Sequence, residues 1–345
     1  MGILSSLFGR KDSQPAPEAQ SQPELDPAEA LASADGALRV DAARSLIERW
    51  RSGDAGAAGI LTPRLSDLLE DPEPLVRIAA LSAVRLLRNS ENLAKCEAGV
   101  LELLADRVPQ VRTAAVWSAI RLPGDAARAK LHTVLQSAEE SMRFAAACAL
   151  SDAGDAAGLP ELQAGLRDEH RRQEALSAMM SLGDSAAVPA IAELFEQESL
   201  GEFDRTLAAA ALARLGDARG GAHLISRLES DGDDRPLAAE WAGRLGVHDA
   251  IPVLTELAQA EGDPARGAAV RALGRLKAAG AEERLQALAG DPEAPEDLRM
   301  DAAEGLAELG TPAALDLLRK LAAEGPLELK QLCEELLVEV QAGAD

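Results

Sequence analysis

The side chains that most often carry catalysis or bind metals are few and scattered in this 345-residue chain. None of the four histidines is followed by glutamate: His132, His170, His223 and His248. The three cysteines share no Cys-x-x-Cys spacing: Cys96, Cys148 and Cys333. The sequence patterns of zinc proteases, nucleotide-binding loops and serine hydrolases are also missing. We therefore predict no catalytic, cofactor-binding or metal-binding residues, and we expect a protein that is not an enzyme.

Acidic residues are plentiful, but their spacing singles out no catalytic pair. Asp231, Asp233 and Asp234 could hold a cation loosely. They lack the twelve-residue loop and the terminal glutamate of an EF-hand. We therefore interpret this stretch as a polar loop between helices.

The composition favours Ala- and Leu-rich helices. Apolar residues reach 47%, aromatic residues only 2%, and tyrosine is missing. Such a chain is too apolar for disorder throughout and too poor in aromatic residues for a β-sandwich or β-barrel. The net charge of −23 argues against nucleic acid as a partner. Scattered cysteines and the missing secretory signal predict a cytoplasmic location.

A basic residue recurs about every 32 residues, and we call these ten positions the register residues. The third residue after each is alanine in nine of ten cases, and the seventh is always apolar. Spacings of 3, 7 and 10 place side chains on one face of an α-helix. The register residues are Arg39, Arg77, Arg112, Arg143, Arg172, Arg205, Arg235, Arg266, Arg299 and Lys330.

A glycine usually ends each of these helices, and aspartate or proline then begins the next. Gly at a helix C-terminus, Asp at an N-cap and Pro in a first turn are the residues expected at these places. Each repeat is thus predicted to be two antiparallel helices. One repeat runs from Arg205 through Ala208, Leu212 and Leu215 to Gly216-Asp217.

This unit resembles the HEAT family in its short form, known from phycobilisome lyase subunits. The resemblance covers roughly residues 27–341. It implies an all-α fold, an α-solenoid forming a right-handed superhelix of about ten helical hairpins, within a domain at 27–345. The di-iron enzyme deoxyhypusine hydroxylase is also a HEAT-repeat protein, but its repeated His-Glu pairs have no counterpart here.

The first 26 residues differ from the repeats in composition. Residues 12–26 are rich in Pro, Gln and Ser, and we predict a disordered linker. Residues 1–11 place four apolar side chains on one face of a short helix, followed by two basic residues. They are Ile3, Leu4, Leu7 and Phe8. This peptide is predicted to dock on a membrane surface or a partner groove, although a frayed terminus with no role would show the same residues.

Two surfaces on the register helices, which we expect to line a concave face, are candidate partner sites. The first is an apolar stripe formed by Ile78, Trp117, Ile120 and Phe144. Packing of these residues against the next repeat explains them equally well. The second is a basic ridge that could receive an acidic peptide, unless nearby glutamates balance it. Its members are Arg214, Arg244, Arg271 and Arg275.

The register residues themselves are predicted to form a ladder of Arg–carboxylate contacts between adjacent repeats. Together these features predict a non-catalytic scaffold or adaptor that binds proteins along its concave face and is monomeric alone. The alternative is a bilin lyase-like or chaperone-like lyase subunit acting on a protein substrate. Membrane association through the N-terminus is a further expectation.

Overall fold

The structure is a computed structural model that describes residues 26–342. That range contains helices and no strands. Residues 1–11, with Ile3, Leu4, Leu7 and Phe8, lie outside the described residues, as do all but the last residue of the 12–26 linker. The predictions made for these segments therefore stay predictions.

The chain divides into two compact units between Arg121 and Leu122. The first unit contains α1 (Pro27–Ala30), α2 (Gly36–Arg51), α3 (Ala55–Leu61), α4 (Leu65–Leu69), α5 (Pro74–Val84), α6 (Ser90–Leu103) and α7 (Pro109–Ala119). The second contains α8 (Asp125–Val134), α9 (Glu140–Asp152), α10 (Leu159–Gly165), α11 (Arg172–Leu182), α12 (Val188–Phe195), α13 (Glu202–Arg214), α14 (Ala218–Leu228), α15 (Arg235–Arg244), α16 (Ile251–Leu257), α17 (Arg266–Arg275), α18 (Ala281–Gly290), α19 (Glu296–Leu309), α20 (Pro312–Glu324) and α21 (Leu327–Ala342).

Each unit is a stack of helical hairpins in which one row of helices carries the register residues. This row comprises α2, α5 and α7 in the first unit and the odd-numbered helices α9 to α21 in the second. Within each unit, neighbouring members of the row pack on one another, and each also packs on the helix paired with it. The predicted all-α solenoid is therefore confirmed, although its right-handed sense stays a prediction.

Local sequence explains where these helices begin and end. The Asp184 and Asp217 carboxylates accept hydrogen bonds from backbone N–H groups two residues ahead, as an N-cap does. Gly183 and Gly310 have φ angles of 68° and 65°, a left-handed conformation that glycine adopts without steric cost. The predicted turn chemistry is thus present at these turns.

The repeated alanine sits where adjacent register helices meet. Ala146, Ala208 and Ala269 have no exposed surface, and Cys333 takes the same place in α21. A small side chain at this position lets two helices approach closely. The alanine-rich composition therefore has a packing cause.

The predicted ladder is present in part. Arg39 and Asp71 approach to 2.7 Å, Arg77 Nε lies 2.9 Å from Asp106, and Arg172 lies 2.5 Å from Asp204. Arg235 likewise pairs with Asp263.

The register arginines also donate hydrogen bonds to backbone carbonyl oxygens, a contact that the sequence analysis did not predict. Five of them donate to the carbonyl oxygen six residues earlier, next to the end of the preceding helix: Arg39, Arg77, Arg112, Arg143 and Arg172. A guanidinium there satisfies carbonyls that the helix leaves without an N–H partner. The register arginines are therefore structural.

Candidate functional site

The four residues of the predicted apolar stripe differ in burial. Ile78, Trp117 and Ile120 are half-buried in the first unit. Trp117 lines a groove of about 370 Å³ between α5 and α7, together with Arg85 and Thr113. Tryptophan and arginine at a groove are the residue types most often found at the centre of protein interfaces. This groove is the candidate site of the first unit.

Phe144 does not belong to an exposed stripe. It is only 6% exposed, and its ring fills the space beside Gly165, where an added Cβ would lie 2.5 Å from it. The Arg171 guanidinium lies over the ring, 5.3 Å from its centroid. Phe144 is therefore a core residue of the second unit, and the expectation that it is exposed is corrected.

Three of the four arginines of the predicted basic ridge are paired with carboxylates. Arg275 lies 2.5 Å from Glu240 and 3.0 Å from Glu308. Arg244 also lies 2.8 Å from Glu240. Arg271 pairs with Asp301. Among these four arginines, Arg214 alone has no ion pair within residues 26–342, and its side chain is exposed.

Two close backbone contacts bring these side chains together. A Cβ added to Gly243 would lie 2.8 Å from the Ala272 Cα, and one added to Gly274 would lie 2.4 Å from the Gly305 carbonyl oxygen. Only glycine fits at such distances. Helices α15, α17 and α19 are therefore held close, and the long charged side chains beside the glycines reach across two interfaces.

The electrostatics of this cluster are uneven. Burial raises the pKa of Glu240, but hydrogen bonding to Arg275 and the charges of Arg244 and Arg271 outweigh it and leave that pKa lowered. For Asp301 and Glu304 burial prevails over the attraction of Arg271, and their pKa values are raised. The arginines therefore do not fully offset the cost of burying the Asp301 and Glu304 carboxylates.

The acidic stretch at 231–234 has an internal partner. Asp234 is buried, and its carboxylate binds Arg227 and accepts a 2.5 Å hydrogen bond from Thr206 Oγ1. No group of three or more His, Cys, Asp or Glu side chains in residues 26–342 is arranged to hold a metal ion.

Family comparison identifies the repeat. A model described as HEAT repeats matches residues 97–180 and 251–337, and one described as PBS lyase HEAT-like repeat matches residues 171–197. The chain belongs to the HEAT-repeat family. The match at residues 171–197 is of the short, PBS-lyase-like type that the sequence resembled. No curated protein matches the chain.

Several solved structures are similar to this HEAT-repeat chain. The complex of CpcE and CpcF of phycocyanin lyase from Nostoc sp. PCC7120 is 19% identical, with a TM-score of 0.38, over 91% of this chain and 99% of that one. Human deoxyhypusine hydroxylase is 20% identical, with a TM-score of 0.30, over 73% and 98%. Kap121p bound to Nup53p is 15% identical, with a TM-score of 0.41, over 89% and 39%. At these values the likeness supports no conclusion about function.

Sequence reasoning allowed for glutamates that balance the ridge but did not name them, although their positions follow from the repeat. Counting five residues from the register residue gives Glu240, Arg271, Glu304 and Glu335 in consecutive repeats. Counting nine gives Arg244, Arg275, Glu308 and Glu339. The structure favours the alternative in which nearby carboxylates balance the ridge: Arg271 and Arg275 contact Glu240, Glu304 and Glu308 at these positions, and Arg271 also contacts Asp301.

No helix in the described part of the chain combines the length and hydropathy needed to cross a membrane.

Proposed function

We propose that the protein is a non-catalytic scaffold that binds other proteins along its register helices. The observation that supports this most directly is the groove beside Trp117. Its indole is half-buried, so it is held in place by α5 and α7 while one side stays open to a partner. A rigid aromatic side chain of this kind binds at small entropic cost.

Helix spacing in the second unit supports the prediction that the register row is the inner, concave one. The row is packed backbone to backbone at Gly243 and Gly274. On the other row, α16 and α18 stand apart and leave a cleft of about 650 Å³ lined by Leu285 and Leu288. Closer spacing on one row bends a stack of repeats toward that row.

Substitution of Trp117 tests the scaffold role. The full chain is used as bait in native cell extract, and each captured protein is quantified for wild type, Trp117→Ala and the control Trp50→Ala. Trp50 is also half-buried but does not line the groove. A tryptophan anchor contributes about 2 kcal/mol or more, so capture by Trp117→Ala should fall about thirtyfold. Equal capture by all three proteins contradicts the proposal.

We further propose that residues 1–11 tether the scaffold in the cytoplasm to a membrane surface or to a partner. Ile3, Leu4, Leu7 and Phe8 would provide the apolar contact, and Arg10 and Lys11 would favour an anionic surface. Deletion of residues 1–11 should move the protein from the membrane fraction, or from a partner complex, to the free pool. An unchanged distribution excludes the tether.

A second candidate is a bilin lyase-like or chaperone-like subunit. It is favoured by the match of residues 171–197 to the PBS lyase HEAT-like repeat. Purified protein would be mixed with free bilin and an apo-phycobiliprotein, and bilin transfer would be followed by absorbance. Transfer that depends on this chain would favour the lyase role over the scaffold.

A further inference from the structure

The charge of the register face changes along the second unit. The fifth and ninth positions after the register residue are mixed in α15 and α17, with one Glu and three Arg. In the next two register helices all four of these positions are glutamate: Glu304 and Glu308 in α19, and Glu335 and Glu339 in α21. Glu304 and Glu308 contact Arg271 and Arg275 of α17, which also pair with Asp301 and Glu240. Glu335 and Glu339 have no ion pair among the described residues, so the face ends in negative charge that arginines compensate only in part.

These four glutamates surround a groove of about 430 Å³ between α19 and α21. Its floor is apolar and is formed by Ala307, Leu332, Leu336 and Val340. The three α21 side chains are spaced by four residues and follow one stripe of the helix. Among the described residues, the only cation that lines the groove is Arg275, which already binds Glu240 and Glu308.

Burial makes this negative charge unfavourable when nothing fills the groove. Glu304 is partly buried, and desolvation together with the neighbouring Asp301 raises its pKa despite the attraction of Arg271 and Arg275. A buried carboxylate gains most from an incoming cation, because attraction between charges is stronger where water is excluded.

We propose that the groove between α19 and α21 binds a basic amphipathic helix of a partner protein. Its apolar face would lie on Leu332, Leu336 and Val340, and its lysines or arginines would pair with the surrounding glutamates. Helices bind helix-lined grooves through side chains at this spacing. The second unit, with 41 acidic and 21 basic residues, would also attract such a partner over a distance. This inference rests on the scaffold role and names the chemistry of one partner.

A synthetic helical peptide of leucine and lysine, about 14 residues or four turns long, serves as the probe. Its binding to the full-length protein is measured by fluorescence anisotropy, beside a peptide in which glutamate replaces lysine. The lysine peptide should bind and should weaken as salt is raised, whereas the glutamate peptide should not bind. Failure of the lysine peptide to bind overturns the proposal.

Matched variants separate the groove from general attraction to an acidic protein. Glu304→Gln with Glu339→Gln removes one carboxylate from each side of the groove and should weaken binding about tenfold. Glu256→Gln with Glu283→Gln makes the same charge change at exposed positions of α16 and α18 and should have little effect. Equal weakening by both pairs overturns the proposal. Leu332→Gln, checked for folding by circular dichroism, should also weaken binding, because it places a polar group in the apolar floor.

The test must also distinguish a partner helix from the chain's own residues 1–11, whose sequence is apolar and basic. If deletion of residues 1–11 increases affinity for the peptide, the N-terminus occupies the groove and the partner helix is overturned. If the groove variants bind the peptide normally while Trp117→Ala still loses its partners, only the present inference fails and the scaffold role stands.

Discussion

Residues 1–121 and residues 122–345 carry very different charge, although the described part of each region is a stack of helical hairpins. The first region has 17 acidic and 14 basic residues, and the second has 41 and 21. Nearly all of the net charge of −23 therefore belongs to the second region. A repeat that keeps its core positions can change its surface charge freely, because each hairpin needs only its neighbours for stability.

The second region also has one arginine cluster that contrasts with an isolated ion pair of the first region. In the first, Arg77 pairs with Asp106 alone among carboxylates, and both side chains are less than 10% exposed. In the second, Glu240 is shared by Arg244, Arg271 and Arg275 on a partly exposed face. A buried one-to-one pair stabilises the packing of adjacent repeats. A shared and more exposed network keeps charged side chains that can also interact with a partner.

The largest effect is expected from a substitution that disrupts the close packing of α17 on α19. The ion pairs around Glu240 depend on this packing. Gly274→Val would place side-chain atoms against the Gly305 carbonyl, and backbone cannot move aside as a side chain can. We expect a loss of about 3 kcal/mol or more. Urea unfolding followed by Trp241 fluorescence measures it, in a Trp50→Phe, Trp117→Phe background that leaves Trp241 as the only tryptophan.

Gly290→Val is the matched control for this change. No atom lies within 4 Å of a Cβ added at Gly290, which ends α18. Its unfolding midpoint should stay close to that of the parent. A Gly274→Val protein as stable as the control would show that α17 and α19 are not held by this contact.

Close contacts at glycines explain which parts of the structure the sequence did not predict. The helices, their turns and the buried alanines follow from local periodicity, and the structure confirms them. Phe144 was misjudged because its burial depends on the missing side chain at Gly165, which is distant in sequence. The sequence allowed for glutamates beside Arg271 and Arg275 but did not identify them, because these contacts depend on the close helix spacing at Gly243 and Gly274.

A smaller effect is expected from breaking one ion pair in each region. Asp106→Asn leaves the buried Arg77 without its carboxylate but with the carbonyls of Asp71 and Pro72, and should cost about 2–3 kcal/mol. Glu240→Gln should cost less than about 1 kcal/mol, because Arg271 and Arg275 keep Asp301 and Glu308. Urea unfolding of both variants measures the difference. Equal losses would contradict the contrast between isolated pair and shared network.

The smallest expected effect concerns pH: Asp106 and Asp301 should change the free energy of unfolding in opposite directions as pH rises. Burial raises the pKa of Asp106, but hydrogen bonds from the Val108 N–H and Arg77 outweigh it, so the pKa is lowered from its ordinary 3.8. Burial raises the pKa of Asp301 above 3.8 despite Arg271. The folded protein thus binds a proton less readily than the unfolded chain at Asp106, and more readily at Asp301.

The stabilisation from Asp106 is therefore complete above pH 3.8 and is lost as pH falls through its lowered pKa. Asp301 changes the free energy of unfolding in the opposite direction. Its ionisation destabilises the folded protein as pH rises from 3.8 through its raised pKa. The free energy of unfolding is measured from pH 3 to pH 6 for wild type, Asp106→Asn and Asp301→Asn. With rising pH, the advantage of wild type over Asp106→Asn should grow and its advantage over Asp301→Asn should shrink. Parallel curves would mean that the two regions hold their carboxylates in the same way.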